Sequence, residues 1–96
     1  MSVKVIGLIR LKDSVAFSKY KSEVGATAEL YGGVISGRGS LEKMYWDELT
    51  TGRFDAYVEL SFPTAEAADV WASSPEYQSI LATRKVALDV TLFRVS

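Results

Sequence analysis

Residues 62–78 read F-P-T-A-E-A-A-D-V-W-A-S-S-P-E-Y-Q, and the order strand stop, cap, helix, cap, helix within them decides how the second half of the chain folds. Pro63 ends a strand because it has no N–H to give to a ladder. Thr64 follows as an N-cap whose hydroxyl can accept from a free backbone N–H of the next helix. That helix is expected to turn Ala67, Ala68, Val70 and Trp71 inward. Ser73, Ser74 and Pro75 then break and restart it: Ser74 caps, Pro75 takes the first helical position, and Glu76 complements the positive end of the helix dipole. The restarted helix is expected to bury Tyr77, Ile80 and Leu81 and to run to about residue 86.

Upstream of Pro63, residues 53–62 alternate, with Phe54, Ala56, Val58, Leu60 and Phe62 on one face and Asp55, Tyr57, Glu59 and Ser61 on the other. This is the period of a half-buried strand. Residues 34–44 form a weaker strand in which Gly37 and Gly39 supply no side chains and mark a bulge or close approach. Residues 45–52 either extend that strand or turn, and Thr51 followed by Gly52 favours a hairpin. The first strand, V-K-V-I-G-L-I-R-L over residues 3–11, is apolar on both alternating sets, as a strand covered on both faces reads. One cover is the chain's own helices; the other is expected to be a second subunit. Asp13 can cap a helix with a stripe of Phe17, Tyr20, Val24, Ala28 and Tyr31, which Gly32 and Gly33 stop. Gly25 within it predicts a kink or close packing. The last strand covers residues 88–95.

The chain has 96 residues, 48% of them apolar, which fits one domain over residues 1–96. A domain of this size buries roughly 60–70% of the surface its unfolded chain exposes, so further burial by oligomerisation is favourable. No cysteine is present to supply a disulfide or thiolate-metal alternative. Eleven basic and twelve acidic residues, evenly spread, leave no electrostatic footprint for nucleic acid or an anionic membrane. No signal-peptide pattern opens the chain and no apolar run approaches the roughly 20 residues of a membrane span, so a cytoplasmic location is expected. The absence of histidine removes the usual general base at neutral pH and the usual zinc and haem ligand. No phosphate-cradling glycine loop, nucleophile elbow or EF-hand loop is present either. No cofactor or metal is expected.

The motifs F-P-T at 62–64, Ala67, Ala68, Trp71 and S-P-E-Y-Q at 74–78, with Arg84 in the following turns, carry a family resemblance. Tyr20, Y-G-G at 31–33 and Arg38 followed by Gly39 fit its first half. The chain resembles the bacterial family catalogued as domain of unknown function 1330, within the dimeric α+β barrel group of ferredoxin-like folds. The resemblance implies an α+β, ferredoxin-like β-α-β-β-α-β order with an antiparallel sheet, the second helical segment being broken between Ser73 and Pro75. It further implies a homodimer with facing sheets and outward helices. It implies no activity. Ser61 stands where the family often has a carboxylate, Gly25 where it often has proline, and residues 41–52 are longer than its pattern.

Arg38, flanked by glycines, can reach either a carboxylate ligand or Glu59, and the pair with Glu59 is the preferred expectation. Glu59, if buried, would have a raised pKa and be the candidate catalytic base. Tyr20, Trp71 and Tyr77 are either core or one wall of a helix-sheet pocket, and Arg84 either complements a helix end or clamps an anion. These residues define the expected function: a homodimer binding a small apolar or aromatic molecule between helix and sheet. The alternatives are a cofactor-independent monooxygenase- or isomerase-like enzyme, which rests on fold analogy, and a dimeric interaction module without ligand. A pocket on which Arg38, Glu59 or Tyr20 converges favours a ligand; a solid core favours the interaction module.

Overall fold

A computed structural model describes residues 2–96. Strand β1 (Val3–Leu11) occupies a central place in a four-stranded antiparallel sheet, as its doubly apolar sequence requires. Helix α1 (Ser14–Glu29) follows, capped by Asp13, whose carboxylate accepts from Ala16 N. Then come β2 (Val34–Ser40), β3 (Ala56–Phe62), helices α2 (Ala65–Ala72), α3 (Pro75–Gln78) and α4 (Leu81–Ala87), and β4 (Leu88–Val95). The strand order is β2-β3-β1-β4, the ferredoxin-like α+β arrangement.

Register fixes which side chains share a face. Val3 opposes Phe62, Val5 opposes Leu60 and Gly7 opposes Val58 on the face turned to the helices. There they meet Tyr20, Val24 and Ala28 of α1, Ala68 and Trp71 of α2, and Tyr77 in one core cluster. Ile6 opposes Phe93, and Leu8 opposes Tyr57, on the other face. Among the described residues no helix covers that second face, and Phe93 and Val95 each keep 42% of their surface exposed.

The signals of residues 62–78 operate as chemistry. Thr64 accepts from Ala67 N and Ser74 from Tyr77 N, so each helix start has a partner for one of its free donors. Gly32 adopts φ +82°, the left-handed region that glycine enters without a Cβ clash, and Gly33 N then donates to Ala28 O. Gly25 is a site of close packing, since a Cβ there would lie 3.3 Å from Ile35 Cδ1.

Five expectations are corrected. Val70 faces outward, 52% exposed, because only Ala68 and Trp71 of α2 lie deep against the sheet. The restarted helix breaks again after Gln78: Ser79 Oγ bonds back to Glu76 O, Ile80 N takes a tighter bond to Tyr77 O, and Ile80 turns into the core. Strand β2 ends at Ser40, short of residue 44. Strand β3 begins at Ala56, and Phe54 leaves the core face to line a shallow cleft with Leu8, Arg10 and Thr91. Finally, β2 and β3 pair as neighbours but are joined by a long loop over residues 41–55, not a tight hairpin. Asp47 organises that loop by accepting from Thr51 N, Thr51 Oγ1 and Gly52 N.

Candidate functional site

Between α1 and the helix-facing side of the sheet lies a cavity of about 300 Å³. Its floor is aliphatic, built from Val58, Leu60, Val90 and Leu92, and α1 roofs it with Phe17, Tyr20, Lys21 and Val24. Small residues help to keep the space open. Ala56 lies on its lining, and a Cβ on Gly7 would stand 2.7 Å from Val58 Cγ1 and 3.3 Å from Leu92 Cδ2, so Gly7 lets both floor side chains sit low.

Trp71 lines the inner wall and is held rigidly. Its Nε1 donates to Thr27 Oγ1 at 3.1 Å, and Thr27 in turn donates to Val24 O at 2.7 Å. Phe62 and Tyr77 pack against the indole, with ring centroids 5.3 and 4.6 Å away. Tyr20 lines the cavity and places its hydroxyl 2.9 Å from that of Tyr77, which accepts from Arg84 Nη1 at 2.9 Å. Burial, reinforced by Tyr77, pushes the Tyr20 phenol well above its ordinary pKa, so it stays protonated.

A β-bulge decides where Arg38 points. Ile35 pairs with Leu60, Gly37 with Glu59 and Arg38 with Val58, so the extra residue Ser36 shifts the alternation. Arg38 therefore shares the helix-facing side with Ile35 and lines the cavity mouth. Glu59 lies on the opposite face. The expected Arg38–Glu59 pair does not form: Glu59 accepts from Lys4 Nζ at 2.9 Å, Ser36 Oγ at 2.9 Å and Tyr57 Oη at 2.7 Å. These three bonds hold its pKa down to about 2, opposite to the raised value a general base would need.

Of the residues singled out from sequence, Tyr20, Arg38 and Trp71 line the cavity; Tyr77 and Arg84 stand behind its wall and support Tyr20; Glu59 is turned away from it. Sequence reasoning missed Lys21. It stands four residues after Phe17, at the flank of the α1 stripe, and its ammonium lies 4.9 Å from the Phe17 ring centre. Nothing in a helical pattern distinguishes such a lysine from a solvated one. Among the described residues no group of three Asp or Glu carboxylates is placed to hold a metal ion, and no helix is long and apolar enough to cross a membrane.

The family described as "Domain of unknown function (DUF1330)" matches residues 3–96. The chain belongs to this family. No curated protein matches the sequence significantly. Among solved structures, the DUF1330 chain is similar to RPA0582 of Rhodopseudomonas palustris, a protein of unknown function, with 21% identity, a TM-score of 0.80, and coverage of 98% of this chain and 80% of the other. It is also similar to SnoaB, a cofactor-independent oxygenase from Streptomyces nogalater, at 9% identity and a TM-score of 0.69, covering 99% of this chain and 91% of SnoaB. A dimeric protein of unknown function from Bacteroides fragilis, described as having a ferredoxin-like fold, matches at 16% identity and a TM-score of 0.64, covering 99% and 95% of the two chains. At these identities the likeness is one of fold.

Proposed function

We propose that the chain is a single dimeric α+β barrel domain over residues 1–96 that binds a small apolar or aromatic molecule in the cavity beneath α1. The cavity itself carries the reading. Its volume of about 300 Å³ falls at the lower end of the range for small-molecule sites. Tyr20, Trp71 and Arg38 line the space, with Tyr77 and Arg84 behind it.

Trp46 is exposed on the long loop, so Trp46→Phe leaves Trp71 as the only indole and a reporter for the cavity. Titration of that variant with naphthalene is expected to change Trp71 emission saturably. No change up to the solubility limit would sink the reading.

The homodimer is supported by the sheet face that no helix covers, where Ile6, Leu8, Tyr57 and Phe93 lie, and by similar structures described as dimeric. Light scattering at micromolar concentration tests it, and a stable monomer would refute it. A cytoplasmic location goes with this proposal and is checked by cell fractionation.

A second reading, a cofactor-independent monooxygenase- or isomerase-like enzyme, draws on one observation: the cavity wall carries a tyrosine backed by Tyr77 and Arg84. No carboxylate among the described residues lines the cavity and Glu59 lies on the other face of the sheet, so on this reading a substrate would ionise without a carboxylate base.

A further inference from the structure

The charged groups on the cavity lining are Lys21 and Arg38, and no Asp or Glu among the described residues accompanies them. This is a local imbalance, since the whole chain has eleven basic and twelve acidic residues. Neither cation is held in an ion pair among the described residues, and Lys21 rests over the ring of Phe17, itself part of the lining. The ion pairs among the described residues join Lys4 to Glu59, Lys12 to Asp89 and Arg94 to Asp69. The backbone places the two cations along one edge. Gly25 of α1 packs on Ile35 of β2. One helical turn back along α1 is Lys21, and three residues on along β2, across the bulge, is Arg38. The rest of the lining is dominated by aliphatic and aromatic side chains, with Val58, Val90 and Leu92 on the floor.

An apolar chamber whose rim carries two unpaired cations selects for an amphipathic monoanion. We infer that the ligand is a small aromatic or branched aliphatic carboxylate, its apolar body against Trp71 and the floor and its carboxylate on Arg38, with Lys21 adding charge. The planar guanidinium fork matches a carboxylate in two parallel hydrogen bonds, and a bond to an ionised group is stronger than a neutral one. An anion of three or more charges does not fit, because Lys21 and Arg38 are the two cations that the lining offers. This inference rests on the cavity being a ligand site and adds the ligand's charge.

The test compares 2-naphthoate with its neutral near-isostere 2-naphthamide, by calorimetry and by Trp71 emission in the Trp46→Phe variant. The carboxylate is expected to bind roughly tenfold or more tightly than the amide, the worth of a charge-assisted bond over a neutral one. The preference should shrink as salt rises, because the rim is exposed. Arg38→Gln should erase most of it by weakening 2-naphthoate far more than 2-naphthamide; Arg38 is exposed and has no hydrogen-bond partner among the described residues, so the variant should fold. Equal affinity for both probes, or a preference that survives Arg38→Gln and Lys21→Gln together, overturns the inference but leaves the cavity reading standing. Binding of neither probe overturns both.

Discussion

The hydroxyls of Tyr20 and Tyr77 stand 2.9 Å apart, linking α1 to α3, and Arg84 of α4 donates to the second of them. Three helices are thus tied by two hydrogen bonds at the back of the cavity. Either tyrosine can donate to the other, but Tyr77 also accepts from a cation, so the hydroxyl of Tyr77 is polarised toward Tyr20. Tyr77→Phe removes both bonds and leaves a buried phenol and a half-buried guanidinium without a partner. The expected loss is about 1–3 kcal/mol, read from the urea midpoint at unchanged slope. The double variant Tyr20→Phe, Tyr77→Phe should lose less than the sum of the singles, because it leaves no orphaned phenol. Strict additivity would show that the two hydroxyls do not interact.

Trp71→Ala should cost about 3–5 kcal/mol, since the indole is buried, packed at a tilt against Phe62 and Tyr77, and bonded to Thr27. That approaches the full stability of a small domain. Trp71→Phe keeps most of the packing and drops the Thr27 bond, so its loss should be clearly smaller. A Trp71→Ala protein with an unchanged thermal midpoint would mean that the indole does not belong to the core.

Glu59 makes a pH-dependent contribution to folding. Its folded pKa is depressed to about 2 from an ordinary 4.5, chiefly by Lys4, Tyr57 and Ser36. The stabilisation is therefore complete above about pH 4.5 and lost as pH falls through 2. Glu59→Gln should flatten the acid limb of stability between those values, and a side-chain carboxyl titration followed by NMR should give a midpoint near 2. Because Glu59 faces away from the cavity, the same variant should bind naphthalene as the parent does. A midpoint near the ordinary value would show that the three hydrogen bonds do not form in solution.

The fold was legible where local chemistry and long-range packing agree. The cap at Asp13, the stop at Pro63 and the caps at Thr64 and Ser74 each have a short-range cause, and each holds in the structure, as does the central place of β1 in the sheet. The site was legible only in part. Trp71 and Tyr20 follow from helical periodicity, but the face of Arg38 depends on a bulge opposite Glu59. Alternation alone cannot locate such a bulge, because the glycines at 37 and 39 carry no pattern of their own. That single inserted residue separates Arg38 from Glu59 and sends one to the cavity and the other to the open sheet face. Lys21 was invisible for a different reason: its meaning comes from the absence of a carboxylate partner around a cavity that only the three-dimensional packing creates.

The cavity can be probed from its lining without touching either cation. Ala56 lies on it beside Ile9, and a larger side chain there has room to grow into the space. Ala56→Phe should raise stability by about 0.5–2 kcal/mol as a cavity-filling change and at the same time abolish naphthalene and 2-naphthoate binding. Gly7→Ala makes the opposite case. Its new Cβ would press on Val58 Cγ1 from 2.7 Å, forcing the floor side chains to move, and overpacking of this kind costs about 1–3 kcal/mol. Thermal unfolding and calorimetry on the two variants separate room from pressure. If Ala56→Phe destabilises the protein as Gly7→Ala does, the space beneath α1 is already filled in solution, and the ligand reading loses its physical basis.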